Sequence, residues 1–126
     1  MPNPLAAAKA FLDSDAPNQP AGTTRSTKFP TSAITAPHIQ FAWDGSPSDA
    51  DNREDTTIRI TVWTPQGKVT DAQDIAAGLR ARFLRYASAD VFGVNRGAGR
   101  LPGIDSDTAL PFCTFTVLPV MRATVA

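Results

Sequence analysis

The sequence predicts an α+β domain in which a small, mostly antiparallel sheet carries two helices on one face and long loops join the elements. Three observations support this fold class. Residues Thr56–Trp63 alternate apolar and polar side chains, which is the pattern of a half-buried strand. Residues Asp71–Tyr86 carry apolar side chains at intervals of three and four, which is the pattern of an amphipathic helix. Prolines and glycines cluster in the connections between such elements.

This strand and helix form the unit around which the rest of the chain is organised. Ile58, Ile60 and Val62 point to one side of the strand, because successive side chains alternate between its faces. The spacing of Thr70 and Gln73 matches a capping box, which predicts that the helix begins near Asp71. One apolar stripe of the helix is expected to pack on the strand and consists of Ala72, Ile75, Leu79, Phe83 and Tyr86.

The remaining elements follow from the same rules of periodicity and capping. They are a helix over Pro4–Asp13 capped by Asn3, an edge strand over Thr23–Phe29, and strands over His38–Trp43, Val91–Val94 and Pro111–Arg122. The side chains of the last strand that face the core are predicted to be Cys113, Phe115 and Val117. Pro119 has no amide for the ladder, so a bulge or an edge is expected there. Gly78 is expected to allow close packing of the helix on the sheet or of one subunit on another.

Two connections are long for a compact domain, and such loops are usually functional or disordered. The acidic loop, residues 44–55, contains five acidic residues and is predicted to be mobile in the free protein. A solvated hairpin tip explains it most simply, and a calcium site is a weaker alternative because the calcium-loop pattern with its closing glutamate is missing. A Gly/Pro-rich loop spans residues 95–111. Its Gly-Ala-Gly segment opens no helix and lacks the lysine of a phosphate-binding loop.

Composition limits the classes of function. The chain has 126 residues, the length of one domain, and its 12 basic and 12 acidic residues give a formal net charge of zero. This balance argues against a dedicated nucleic-acid-binding protein and gives no reason to expect an anionic membrane as partner. No apolar run reaches the roughly 20 residues that span a bilayer, and the start does not resemble a signal peptide. We therefore expect a soluble protein that is used without export.

The residues that most often carry chemistry are scarce. Cys113 is the only cysteine and His38 the only histidine, so no disulfide can form within the chain and no catalytic pair is recognisable from their spacing. Cys113 is expected to be a small buried apolar residue. No motif for a metal or cofactor is present. The sequence therefore predicts no catalytic residues, no metal and no cofactor.

The order of elements resembles a family of viral structural proteins. The segments that carry the likeness are an alanine-rich N-terminal helix, the strand PHIQFAWDG entering a charged loop, the strand RITVWTP, the helix DAQDIAAGLRARFLRY and the closing segment NRGAGRLPGIDSDTALPFCTFTVLPVMR. In this layout the chain is similar to the tail terminator proteins of long-tailed, siphovirus-type bacteriophages, especially those of actinobacteria. The resemblance covers most of Ile34 to Arg122, whereas the segment TTRSTKF departs from a clear family strand.

The resemblance implies a structural role. Tail terminators cap the completed tail tube, stop its polymerisation and provide the face that docks to the filled head, typically as a six-membered ring around a DNA channel. The partners expected from the resemblance are further copies of the chain, the major tail tube protein and the adjacent neck or stopper protein. DNA would only pass through the channel. The implied location is the tail–neck junction of the virion, after assembly in the host cytoplasm.

Charge is segregated along the sequence in a way that suits contacts between subunits. Residues 1–58 contain seven acidic and four basic residues, whereas residues 59–100 contain seven basic and three acidic ones. Opposed patches of this kind steer neighbouring subunits together, unless folding mixes them on the surface. The residues predicted to contact partners are Asp49, Asp51, Arg53, Glu54, Arg80, Arg82, Arg85, Arg96 and Arg100. Both long loops are hypothesised to contact the tube or the neighbouring neck ring.

Three other functions remain open at the level of sequence. The first is another neck component, such as a head–tail stopper or adaptor, or a minor tail protein. The second is a small enzyme that uses His38, Cys113 and the loop carboxylates. The third is a nucleic-acid-binding module that uses the five arginines between Arg80 and Arg100, and it predicts salt-sensitive retention on DNA.

Overall fold

The computed structural model describes residues 4–43, 57–88 and 91–121. These residues form two α-helices, one short 3-10 helix and six strands, which confirms the predicted α+β class. In chain order the elements are α1 (Pro4–Ser14), the 3-10 helix (Ala16–Asn18), β1 (Thr24–Ser26), β2 (His38–Trp43), β3 (Ile58–Trp63), α2 (Val69–Phe83), β4 (Val91–Arg96), β5 (Leu101–Ile104) and β6 (Pro111–Met121). The acidic loop, the Asn3 cap and Arg122 lie outside the described residues.

The strands form one sheet. β1, β2, β3 and β6 lie side by side, and β4 and β5 pair with different parts of β6. The β1–β2 pair is parallel and the other described pairs are antiparallel. β1 pairs only with the first half of β2, so Phe41–Trp43 form part of one edge of the sheet. β4 and β5 form the opposite edge.

The register aligns the apolar side chains of three strands on one face. Two of the rows across β2, β3 and β6 are Ile39, Val62 and Cys113, and Phe41, Ile60 and Phe115. All six residues are buried, so the alternation predicted for these strands is confirmed. The third row on this face is Trp43, Ile58 and Val117, in which Ile58 and Val117 are fully buried and Trp43 is 45% exposed.

Both helices cover this face. α1 contributes Ala8, Phe11 and Leu12 to the same apolar core as the strands. The rings of Phe11 and Phe83 stack at a centroid distance of 4.2 Å, which joins α1 to α2. Four residues of α2 are buried: Ala72, Ala76, Leu79 and Phe83. The predicted stripe is confirmed, although Ala76 was missed and Ile75 and Tyr86 are only partly buried at its margin.

The predicted capping box is wrong. α2 begins at Val69, so Thr70 lies in the first turn, and the residue at the N-cap position, Lys68, makes no side-chain capping bond. The turn before the helix explains the shift, because the Lys68 amide donates to the Pro65 carbonyl and the buried Thr64 hydroxyl donates to the Lys68 carbonyl. The helix also ends at Phe83 rather than Tyr86.

The expectation of one continuous loop over residues 95–111 is also wrong. The start of this segment belongs to β4, and its middle forms β5. β5 pairs with β6 in a register in which Leu101 lies opposite Thr114 and Ile104 lies opposite Pro111. Asp105 closes the β5–β6 hairpin, since its carboxylate accepts hydrogen bonds from the amides of Asp107 and Thr108 and from the Thr108 hydroxyl. Hydrogen bonds from the Thr108 hydroxyl and from the Thr108 backbone amide hold the pKa of the Asp105 carboxyl below its ordinary value.

The sheet register tests the bulge or edge predicted at Pro119, and the space around Gly78 tests the close packing predicted there. The register irregularity of the sheet lies between Val91 and Gly93 in β4 rather than at Pro119. Beyond Val117, β6 pairs only with β4 among the described strands, so Pro119 lies where one side of the strand has no described partner.

A Cβ at Gly78 would lie 2.9 Å from Arg82 Nη1, so this glycine makes room for the Arg82 side chain and not for the sheet.

The hairpin and turn geometry predict opposite effects for two substitutions. Ala109 has φ of 60°, a left-handed conformation that is strained for alanine, so Ala109→Gly should raise the free energy of unfolding by about 1 kcal/mol. Gly67 has φ of 86° and open space around it, so Gly67→Ala should lower the free energy of unfolding by a similar amount, about 1 kcal/mol. Urea denaturation of both variants measures the two changes. Equal signs for the two substitutions would contradict the assigned turn conformations.

Candidate functional site

Four of the predicted contact residues lie around one concavity. Arg80 and Arg85 come from the C-terminal half of α2, Arg96 ends β4, and Arg100 immediately precedes β5. We call this set of four residues the arginine basin. The predicted contacts Asp49, Asp51, Arg53 and Glu54 lie outside the described residues.

The arginine basin is a shallow concavity of about 360 Å³ with an apolar floor. Ala81 and Leu84 of α2 contribute to this floor. The sheet register brings β4 close to α2. Arg96 of β4 pairs with Val117 of β6, and Val117 belongs to the same buried core as the apolar residues of α2. Residues that are separated by up to 20 positions in the sequence therefore surround one surface depression.

The charges of the basin are not neutralised within the described part of the chain. The described ion pairs join Asp13 to Lys9 and Arg25, and Asp15 to Arg82, and none includes a residue of the basin. The Nε atom of Arg80 is buried and has no hydrogen-bond partner. A buried donor without a partner carries a free-energy cost that an incoming acceptor removes. The basin is thus suited to an anionic group, and arginine forks bind carboxylates and phosphates in a bidentate manner.

Arg82 is placed differently from the four arginines of the basin. Its Nε donates to Asp15 Oδ1 at 2.7 Å and its Nη2 donates to Asp15 Oδ2 at 3.0 Å. The Asp15 side chain is only 4% exposed and accepts two further hydrogen bonds, from Asn18 and Gln19. This ion pair joins the end of α1 to α2. The guanidinium of Arg82 is therefore bound to a carboxylate within the chain, and the sequence spacing does not indicate this partner, which is 67 positions away.

The Asp15–Arg82 pair makes stability depend on pH. Burial alone raises the pKa of the Asp15 carboxyl, but hydrogen bonds from Arg82 and the two neighbouring amides outweigh it and lower the pKa. A group whose pKa is lower in the folded state stabilises the fold fully above its unfolded pKa. That contribution is lost as the pH falls through the folded pKa.

We therefore expect Asp15→Asn to lower the free energy of unfolding at neutral pH by about 2 kcal/mol, the range for hydrogen bonds to a charged group. The difference from the unsubstituted protein should shrink in strong acid. Urea denaturation at neutral and strongly acidic pH measures both effects. Asp13→Asn is the matched control, because Asp13 is half-exposed and its ion pairs lie at the surface. An equal loss in both variants would contradict the role assigned to Asp15.

Exposed apolar side chains lie near both edges of the sheet. Near the β4–β5 edge, Leu101 is 61% exposed and Ile104 is 60% exposed. Near the β1–β2 edge, Phe29 is 59% exposed and Trp43 is 45% exposed. The sequence pattern predicts a loop at Leu101 and Ile104, so it does not indicate a surface strand there. Leu101 and Ile104 are separated by Pro102 and Gly103, so the segment has no period-two alternation and little strand propensity.

The structure separates the residues considered for an enzyme. His38 lies in the same row as Trp63 and Phe112, and Cys113 follows Phe112, so the histidine and the cysteine are on opposite faces of the sheet. His38 is held by the Thr24 hydroxyl at 2.6 Å and by the Lys28 carbonyl at 2.7 Å. Burial raises the pKa of the Cys113 thiol, and the nearby Arg100 opposes this only in part. The two groups therefore have no geometry for acting together.

Metal-ligand clusters and membrane-spanning helices are both absent from the described part of the chain. Within residues 4–43, 57–88 and 91–121, no three residues of the types that ligate metals are grouped around a common point. Neither α1 nor α2 has the length and apolar character that crossing a membrane requires. Comparison with protein-family models, curated proteins and solved structures found no match to this chain.

Proposed function

We propose that the chain is a tail terminator of a long-tailed bacteriophage, a structural subunit that caps the tail tube and forms part of the head–tail neck channel. It would act as a ring of several copies, six by analogy with the family it resembles. Its other partners would be the tail tube protein and the adjacent neck protein, with DNA passing through the channel. The arrangement of the layers is compatible with this role, because no described strand pairs with the outer side of either sheet edge.

The observation that carries the proposal is the arginine basin. Four arginines that are unpaired within the described residues line one concavity together with Ala77, Ala81 and Leu84, and the exposed Leu101 directly follows Arg100 in the chain. Arginine and exposed apolar residues together are typical of protein–protein interfaces. The described residues hold no comparable arrangement for catalysis. A role in assembly therefore accounts for more of the surface than an enzymatic role does.

A nucleic-acid-binding module is the second candidate, because the same arginines attract phosphate. The net charge of zero and the confinement of the arginines to one small concavity favour a protein partner over the extended backbone of DNA. Retention of the purified protein on DNA-cellulose separates the two functions. We expect no retention above background at physiological salt, and retention that falls steeply with salt would favour the nucleic-acid function.

Removing part of the acidic loop tests the role in tail assembly. Deletion of Ser46–Asn52 should leave a folded protein but give phage particles with tails of uncontrolled length, because contacts that end tube growth would be lost. Electron microscopy of particles assembled with the variant measures tail length, and circular dichroism confirms the fold. Tails of normal length would contradict a role for this loop in termination.

A gene position next to the major tail tube gene distinguishes a terminator from a stopper or adaptor. Particles assembled without the protein separate the two roles further. Loss of a terminator should give overlong tails that are not joined to heads. Loss of a stopper should give filled heads that leak DNA and tails of normal length. The second result would favour the alternative neck component.

A further inference from the structure

We infer that the arginine basin binds a short acidic segment of another protein, in which carboxylates flank an aliphatic side chain, and that Arg80 holds one of these carboxylates through two hydrogen bonds. The inference deepens the proposed function and rests on it for the identification of the basin as a protein contact. Arg85, Arg96 and Arg100 attract the segment by their charge, whereas Arg80 fixes its position.

The concavity exists because one face of α2 combines small and large residues. Ala77, Arg80, Ala81 and Leu84 line it, and their spacing of three and four positions places them on the same face of the helix. The two alanines leave space beside the long arginine side chain, and Leu84 adds an apolar wall. The helix therefore contributes both an apolar lining and a guanidinium to the same depression.

The concavity also carries an excess of positive charge. Arg85, Arg96 and Arg100 are exposed around it, and none of the described residues that line it is acidic. The nearby C-terminal end of α2 is equivalent to about half a negative charge, which offsets only a small part of four guanidinium charges. Clefts lined by one sign of charge attract ligands of the opposite sign. A partner with several carboxylates therefore complements this surface.

Arg80 differs from the three exposed arginines because its Nε is buried and has no hydrogen-bond partner among the described residues. Arg82, two positions later on the same helix, shows the contact that Arg80 lacks. Its Nε and Nη2 donate to the two carboxylate oxygens of Asp15 at 2.7 Å and 3.0 Å. When the Arg80 side chain turns about its terminal bonds, a carboxylate in the basin can bind it in the same way. This contact removes the cost of an unpaired buried donor.

The apolar part of the lining favours a protein segment over a nucleic acid. Ala77, Ala81 and Leu84 offer contacts to an aliphatic side chain, and Leu101, which follows Arg100, is 61% exposed. Sites for single-stranded nucleic acids stack bases on aromatic side chains, and none of the described lining residues is aromatic. A segment in which carboxylates flank a leucine matches both the charged and the apolar part of the surface.

Binding of short capped peptides to the full chain tests the chemistry of the partner. A fluorescein-labelled peptide in which glutamates flank each leucine should bind saturably, as measured by fluorescence anisotropy. Glutamine in place of each glutamate should abolish binding, and serine in place of each leucine should weaken it by about tenfold. Oligothymidylate of the same charge is the nucleic-acid probe. Tighter binding of oligothymidylate than of the acidic peptide would overturn the assignment to a protein partner.

Two lysine substitutions test whether Arg80 is the anchoring residue. Arg80→Lys keeps the charge but leaves a single donor nitrogen, so the peptide affinity should fall by about tenfold through faster dissociation. Arg85→Lys is the matched control and should change the affinity by less than about twofold, because an exposed arginine contributes mainly its charge. Stopped-flow anisotropy separates the two rates, and circular dichroism checks the fold. Equal effects of the two substitutions would overturn the role of Arg80.

The exposed arginines are tested by the rate of association. Arg96→Ala with Arg100→Ala should slow association by about tenfold at low salt, and by less at high salt, because steering by exposed charges is screened. Lys9→Ala with Lys68→Ala makes the same change in charge at exposed positions outside the basin and should leave binding unchanged. An equal loss in both double variants would overturn the site, and so would the absence of saturable peptide binding to the unsubstituted protein.

Failure of the site and failure of the role in the virion give different results. Peptide binding that Arg80→Lys weakens supports the site whatever the chain does in a phage. Tails of normal length in particles that carry Arg80→Lys would then contradict a role of the basin in tail assembly and leave the site standing. Absence of peptide binding, combined with tails of uncontrolled length after deletion of Ser46–Asn52, would overturn the site and leave the proposed function standing.

Discussion

The antiparallel register of β3 between β2 and β6 is the constraint on which the rest of the structure depends. It places Ile60 between Phe41 and Phe115 and Val62 between Ile39 and Cys113, so that three strands present their apolar side chains to one face. A shift of one residue would turn every one of these side chains to the opposite face. Both helices can then cover the same face, and the stacked rings of Phe11 and Phe83 join them above the sheet.

This arrangement determines where partners can bind. The two edges of the sheet are formed by different strands, and the arginines of α2 lie on two different sides of the helix. Arg82 is used inside the molecule to hold Asp15, while Arg80 and Arg85 face β4 and β5 across the basin. One helix thus contributes both to stability and to the candidate interface. We expect substitutions at Asp15 and at the basin to separate these two roles.

Much of the fold could be predicted from the sequence, because it depends on periodicity over a few residues. The alternation of side chains correctly predicts both bounds of β2, the end of β3 at Trp63 and the start of β6 at Pro111, whereas β3 starts at Ile58 and not at Thr56. β5 could not be predicted, since Pro102 and Gly103 interrupt its pattern and its pairing with β6 supplies what local propensity lacks. The start of α2 was misplaced because the turn at Pro65–Lys68 outweighs the capping box at Thr70.

The candidate site was predictable as a set of residues but not as a surface. The arginines of α2 and of the following segment are evident in the sequence, yet only the fold shows that four of them surround one concavity and that the fifth is paired with Asp15. The apolar residues at the two edges depend on tertiary structure for their exposure. The central claim, that the arginine basin is a surface for protein contacts, is tested most directly by a cryo-electron microscopy map of the assembled particle. We predict that a carboxylate of a neighbouring protein subunit lies within ion-pair distance of Arg96 or Arg100. A map in which the basin faces solvent would contradict the account.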